Sequence, residues 1–300
     1  MVKSPLNYTG GKYKLLPQIT PLFPKKISGF FDVFAGGCNV GVNAPDSDKV
    51  VCNDISAPVV SFMNLIKETT ADNFIHSVEE VIGRYSLSDS FRHGYAYYGC
   101  DSNKGLGTYN KPGYERLRAD YNKSAINSPL SDVMFYVLTV FSFNNQIRYN
   151  SKGGFNMPVG KRDFNENMKN NLTAFIKKLK TLDIDFLSGD FADLYDRLNP
   201  GDFAYCDPPY LLTCAAYNEN GGWNETAELK LLDFLDELSK KNIKFALSNV
   251  ISHKGTINKV LSSWCKKYKV NALDYGYYNC NYHAKDKSRG SSMEVLITNY

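Results

Sequence analysis

Several things are missing from this 300-residue chain, and each absence removes a class of protein. The longest apolar stretch, Val133 to Phe143, is interrupted by Thr139 and Ser142, and the N-terminus lacks an apolar leader core. Neither a membrane span nor a signal peptide is expected, and a reducing cytoplasm is the expected setting. The seven cysteines (38, 52, 100, 206, 214, 265 and 280) never form a CxxC pair, and their odd number argues against a disulfide framework. The four histidines (76, 93, 253 and 283) show no ligand spacing with cysteine or acid, so no metal is expected. Internal repeats and low-complexity tracts are absent. No Pro-Cys dipeptide occurs, which removes the nucleophile needed for methylation at carbon 5 of cytosine. Net charge is only +4, with 43% hydrophobic and 22% charged residues, the balance of an ordinary globular chain.

What the chain does have is alternation. Gly29 to Phe34, Lys49 to Cys52, Ile184 to Leu187, Phe203 to Cys206, Lys244 to Leu247 and Met293 to Thr298 are short apolar runs that read as strands. Glu225 to Lys240 and Thr256 to Tyr268 read as amphipathic helices, and Ser56-Ala57-Pro58 opens another after the second strand. This alternation predicts an α/β fold with a mainly parallel sheet covered by helices. From about Asn73 to Arg162 strand signals fade. Met134 to Phe143 reads there as a buried helix, Gly94 to Gly113 as an extended loop, and Arg148 to Phe155 as a hairpin with Gly153-Gly154 at its tip. A mostly helical insertion in the α/β domain is the organisation expected.

Three segments carry chemistry. Asp207-Pro208-Pro209-Tyr210 follows the strand Phe203 to Cys206 directly. Two prolines cannot continue a ladder, so the chain leaves the strand's C-terminal edge, where open α/β sheets bind ligands. A carboxylate, the Pro208 carbonyl and the Tyr210 ring then suit a planar base bearing an amino group; a simple turn is the alternative. The second segment, Asp32-Val33-Phe34-Ala35-Gly36-Gly37-Cys38, lets backbone approach a ligand, but Cys38 breaks the GxGxxG dinucleotide pattern. Asp54, ending the next strand, is placed to bond ribose hydroxyls, so loop and acid together read as an adenosine site without a pyrophosphate clamp. The third, Asn7-Tyr8-Thr9-Gly10-Gly11-Lys12, lacks the spacing of a phosphate loop and taken alone is no more than a surface turn with one point charge.

These blocks stand in the order of the Dam-type DNA adenine methyltransferases. Tyr8 to Lys12, Asp32 to Gly37, Asn53-Asp54 and Asp207 to Tyr210 carry the resemblance, and Leu117 to Asn122, Gly160 to Arg162 and Ser248 to Val250 extend it. The chain looks most similar to the Dam enzymes of T-even bacteriophages. The resemblance implies a Rossmann-like S-adenosylmethionine-dependent methyltransferase sheet over residues 1–60 and 163–300. It implies a target-recognition domain with a β-hairpin over residues 61–162. The methyl donor would be S-adenosylmethionine, the acceptor the 6-amino group of adenine in double-stranded DNA, within GATC, after base flipping.

Residue by residue, the resemblance makes Tyr8, Lys12, Phe34, Gly36, Asp54, Asp190, Phe191 and Asp207 cofactor contacts. Asp207, Pro208 and Tyr210 become the catalytic set, with the carboxylate and the Pro208 carbonyl accepting the amino hydrogens and aiming the nitrogen lone pair at the methyl. Arg148 falls where a family arginine reads guanine, a contact worth roughly 1–3 kcal/mol of discrimination. Arg118, Asn150, Pro158, Lys161 and Arg162 join it as DNA contacts. Seven basic residues against two acidic ones between Lys152 and Lys180 suit that role, or equally a solvated helix face. A monomer or weak dimer on DNA is expected. Methylation of the cytosine 4-amino group, and a non-catalytic DNA-binding protein with this fold, remain alternatives.

Overall fold

The computed structural model describes residues 1–124, 128–213, 222–274 and 292–300. Cys214, Cys280 and His283 lie outside the described residues. The chain divides into two compact units, one of residues 12–55 and 183–300, the other of residues 1–11 and 56–182. The sequence had suggested cuts at 60/61 and 162/163.

The first of these units is built on a sheet. After a short helix α1 (Leu16–Ile19) come strands β1 (Ile27–Asp32), β2 (Ser47–Asp54), β3 (Ile184–Ser188), β4 (Phe203–Cys206), β5 (Lys244–His253), β6 (Thr256–Ile257), β7 (Lys269–Leu273) and β8 (Ser292–Thr298). Their order is β3-β2-β1-β4-β5-β8-β7, with β6 folded back on β5. Strands β3 through β5 in that order run parallel, while β8 is antiparallel to both β5 and β7. The mainly parallel α/β sheet expected from the alternation is therefore present. Strands with both faces covered need apolar side chains throughout, and all four residues of β4 are buried.

Helix α8 (Glu225–Lys240) covers the sheet. Its buried Leu231, Leu232, Leu235 and Leu238 recur at helical spacing, and each fully buried leucine contributes about 1.5–3 kcal/mol. Asn224 caps the helix, its side-chain oxygen accepting from the Ala227 amide at 2.9 Å. The predicted helix Thr256 to Tyr268 is shorter than expected. Its start pairs with β5 as β6, and only α9 (Lys259–Trp264) is α-helical. Asn258 sets that boundary by capping the Leu261 amide at 3.0 Å.

The second unit contains six α-helices among its described residues: α2 (Ala57–Glu68), α3 (Ala71–Arg84), α4 (Ser90–Tyr97), α5 (Gly107–Tyr121), α6 (Pro129–Phe141) and α7 (Glu166–Leu179). Eleven consecutive residues of α6, Ser131 to Phe141, are buried, making it the central helix of the unit. Phe62 of α2 stacks on Tyr136 of α6 with ring centroids 5.3 Å apart. The hairpin expected at Arg148 to Phe155 is reduced to isolated bridges, Tyr149 with Phe155 and Ser142 with Val159. Asn150 closes its tip by accepting from the amides of Lys152 and Gly154, each at 3.0 Å.

The extended loop read at Gly94 to Gly113 is shorter in the structure: α4 ends at Tyr97 and α5 begins at Gly107, leaving residues 98–106 between them. The buried face of α5 is Asn110, Gly113, Tyr114, Leu117 and Tyr121, a helical spacing masked by the surrounding glycine, tyrosine and asparagine. Gly113 is required there, because a Cβ would stand 2.1 Å from the Tyr85 carbonyl oxygen.

Candidate active site

Strand order reverses between β1 and β4: from β1 the chain proceeds outward to β2 and β3, then returns to add β4 on the other side. Loops leaving the C-terminal ends of these adjacent strands diverge and leave a crevice, the usual ligand position in an open α/β sheet. The glycine loop after β1 and the Asp207 segment after β4 both start at that edge.

The glycine loop is held by β2. Gly36 donates its amide to Asp54 Oδ2 at 2.8 Å, and the Ala35 amide bonds the Asn53 carbonyl at 2.8 Å. Gly36 and Cys38 both adopt positive φ, 48° and 61°. Asp54 thus anchors the loop in addition to any ligand role. Asp32 at the end of β1 accepts from the Gly41 amide at 2.8 Å, and burial, with the charges of Asp207 and Asp54 adding to it, raises its pKa to about 7 despite that bond. Cys38 and Cys52 are buried beside it with Sγ atoms 2.8 Å apart. Ligand-type atoms of these three residues lie within 4.8 Å of one another, and the hydrogen bonds among Asp32, Gly41 and the two thiols account for the grouping structurally.

At the β4 edge Lys12 and Asp207 meet. Lys12, at the start of a 3₁₀ turn (Lys12–Leu15), is 3% exposed and pairs with Asp207 Oδ1 at 2.8 Å. The resemblance made it a cofactor contact, and it is the only basic side chain buried among the described residues. Tyr210 Oη lies 3.0 Å from Asp207 Oδ1 and 2.9 Å from Glu294 Oε1, and Lys12 Nζ is 3.6 Å from Glu294 and 4.9 Å from the centre of the Tyr210 ring. Burial pushes the carboxyls of Asp207 and Glu294 upward, with Lys12 pulling both back down. Asp207 sits at its strand end because Pro208 and Pro209 cannot extend the ladder; Pro208 is buried.

Glu294 was not among the residues singled out from sequence. It stands inside the apolar run of β8, opposite Val250 of β5 and Leu273 of β7. An acid within a strand buried on both faces was the available signal.

Phe34 and Phe191 come together with ring centroids 5.3 Å apart, and Trp223 joins them at 5.6 and 6.3 Å. Trp223 also went unnoticed in the sequence. Asp190 accepts from the Ala192 amide at 2.9 Å and pairs with Lys230 at 3.1 Å; that amide and Lys230 outweigh partial burial and lower its pKa.

The remaining predicted residues belong to the helical unit. Tyr8 is half-buried there, its carbonyl accepting from Gly11 at 3.1 Å. Exposed Arg148 donates to Asn156 Oδ1 at 2.8 Å and to the Asn156 carbonyl at 3.0 Å, which uses two of the guanidinium's five hydrogens. Arg118 donates to the Met157 carbonyl at 3.0 Å. Pro158 is exposed and its carbonyl accepts from Phe143 at 2.8 Å. Arg162 donates to the Tyr95 hydroxyl at 3.3 Å and Lys161 to the Asn103 carbonyl at 3.4 Å.

A parallel sheet with a glycine loop and acid at one side of its switch point, and an Asp-Pro-Pro-Tyr segment at the other, defines a Rossmann-like methyltransferase fold. Comparison with known proteins narrows the class: residues 8–277 match the model of the D12 class N6 adenine-specific DNA methyltransferases. The chain belongs to that family. Methyltransferases of this type take S-adenosylmethionine as methyl donor. The whole chain is 40% identical over 306 residues to Type II methyltransferase M.FokI of Planomicrobium okeanokoites, and 40% over 308 residues to Modification methylase StsI of Streptococcus sanguinis. It spans 43% of the length of each of these two relatives. A DNA adenine methylase of Vibrio cholerae is 26% identical over 249 residues, covering 81% of this chain and 80% of that protein.

Proposed function

We propose that this chain transfers a methyl group from S-adenosylmethionine to the 6-amino group of adenine in double-stranded DNA. The observation that carries the reading is the cluster of buried Lys12 and Glu294 with half-buried Asp207 and Tyr210, gathered around the segment that leaves β4 at the sheet's switch point. Asp54, Asp32, Asp207 and Glu294 put four acidic side chains in this unit against one buried lysine, an environment that favours a cationic sulfonium donor. Asp54, Gly36, Phe34, Asp190 and Phe191 form the cofactor side with Lys12, and Tyr8 joins them on the strength of the motif it shares with Lys12.

The donor supplies an activated methyl, so the protein's task is to hold and orient the acceptor. Asp207 and the Pro208 carbonyl accept the two amino hydrogens, which favours a pyramidal nitrogen with its lone pair free. Tyr210 offers its ring to a base taken out of the duplex, a step costing a few kcal/mol. The helical unit reads the target through Arg148, with Asn150, Pro158, Arg118, Lys161 and Arg162 around it; the side chains of Arg118 and Asn150 act by holding the bridged segment in shape. GATC is the target supported by the Dam-type motifs, and the protein acts on DNA in the cytoplasm as a monomer or weak dimer.

Sequencing that detects modified bases, on DNA treated with the purified chain and S-adenosylmethionine, tests this reading. Methylated adenine confined to GATC is expected. Methylated adenine in another short motif would overturn the target sequence alone, and 4-methylcytosine would overturn the acceptor.

A further inference from the structure

The contacts around Tyr210 pose a proton-counting problem. Its single hydroxyl hydrogen faces Asp207 Oδ1 at 3.0 Å and Glu294 Oε1 at 2.9 Å. One hydrogen cannot serve two carboxylates, and an ionised carboxylate is an acceptor only. With both acids charged, one of the two contacts would set oxygen lone pairs against each other in a buried site. With one acid protonated, every contact is satisfied. Lys12 decides which: its Nζ is 2.8 Å from Asp207 and 3.6 Å from Glu294, so the charge belongs on Asp207 and the proton on Glu294. Glu294 then donates to the Tyr210 oxygen, and Tyr210 donates to Asp207.

We propose that Glu294 is the proton store of the methyl-transfer site, a positioning residue that keeps Asp207 ionised and takes up the proton the reaction releases. The inference rests on the methyltransferase reading above. In the resting chain the Lys12–Asp207–Glu294 group is neutral overall. Entry of a sulfonium cation favours a second negative charge, and Glu294 releases its proton to solvent. When the amino nitrogen becomes methylated it carries a positive charge and one hydrogen too many. Asp207 accepts that proton, Asp207 passes a proton to the Tyr210 oxygen, and the Tyr210 hydroxyl hydrogen moves to Glu294. The cluster returns to its starting state, one proton has left per methyl transferred, and no further reactant is needed.

The charged and titratable groups acting on Glu294 among the described residues include Lys12, Tyr210 and Asp207, with the Tyr205 hydroxyl of β4 also within its field and bonded to Ser248 at 2.8 Å; burial holds the Glu294 carboxyl above the ordinary range. On the neighbouring strands, Val250 and Leu273 stand opposite it, and the nearest histidine on β5, His253, bonds Ser292 instead.

Two measurements test the proposal. Infrared difference spectroscopy of the free protein at pH 7, parent minus Glu294→Gln, should show a protonated carboxyl lost in the variant; its absence would overturn the resting state. Isothermal titration of the parent chain in phosphate and in Tris counts protons released on binding. The parent should release about one proton more than Glu294→Gln on binding S-adenosylmethionine, while both proteins should exchange the same number of protons on binding S-adenosylhomocysteine, which lacks the sulfonium charge. Comparing one ligand on two proteins cancels the titration of the ligand's own α-amino group. Equal release by parent and variant on binding S-adenosylmethionine would overturn the assignment. Failure of the parent to bind either ligand would count against the methyltransferase reading itself, while the infrared result still decides where the resting proton lies.

Discussion

Replacing Lys12 by methionine removes the one cation from the buried cluster while keeping its volume. Lys12 and Asp207 have side chains 4% and 16% exposed, so water does little for the carboxylate left behind. Breaking one partner of a buried pair costs about 3–5 kcal/mol. Asp207 can limit that cost by taking a proton, which makes the loss depend on pH. Holding a carboxyl of unfolded pKa ~3.9 protonated costs about 1.4 kcal/mol per pH unit above that value, so about 1.5 kcal/mol at pH 5 and about 4 kcal/mol at pH 7. The sign follows from proton counting: the folded variant binds a proton that its unfolded chain does not, so its stability falls as pH rises. Both tryptophans, Trp223 and Trp264, lie in the sheet unit, so urea unfolding followed by tryptophan fluorescence reports on the unit that contains the substitution. A destabilisation relative to the parent that is equal at pH 5 and pH 7 would refute the buried-charge reasoning.

Asp132 on α6 is buried and its pKa is raised to about 6, chiefly by burial and against a hydrogen bond from Ser61 at 2.8 Å. Its folded form holds a proton that the unfolded chain loses near pH 4, so the helical unit loses stability between pH 4 and 6; Asp132→Asn should remove that slope and gain up to about 3 kcal/mol at pH 8, as measured by calorimetric unfolding. Gly113→Ala drives a methyl into the Tyr85 carbonyl at 2.1 Å and should cost at least about 1–3 kcal/mol of that unit's stability, read by circular dichroism during denaturation. Asp54→Ala leaves the buried Gly36 amide without its acceptor, at about 1–3 kcal/mol, and should weaken S-adenosylmethionine binding in titration calorimetry more than it weakens folding.

The sheet was legible because its strands are short apolar runs closed by turn residues, and a parallel sheet needs little else. The Asp207 segment was legible because consecutive prolines after such a run force the chain off the strand edge. Lys12 was legible only through the motif it shares with Tyr8: a lysine after two glycines looks by itself like a surface turn, and the fold brings it to a carboxylate nearly 200 residues away in sequence. Glu294 was hidden for a related reason, since its strand was recognised by its apolar neighbours and the lone acid was absorbed into the run. Helix α5 failed differently. Its glycine, tyrosine and asparagine content signals a loop, while the buried spacing 110, 113, 114, 117 and 121 signals a helix, and the packed face prevailed over composition. The hairpin was read from its glycine tip, but the turn was all that the local sequence determined, and pairing beyond it is limited to two bridges.

The most direct test of the central claim is nucleoside mass spectrometry of duplex DNA incubated with the purified chain and S-adenosylmethionine, alongside Asp207→Asn. The parent should yield N6-methyladenine and the variant, folded by its thermal transition, should yield none. N6-methyladenine at parental levels from Asp207→Asn, or its absence from a parent chain shown to bind the cofactor and DNA, would contradict the account.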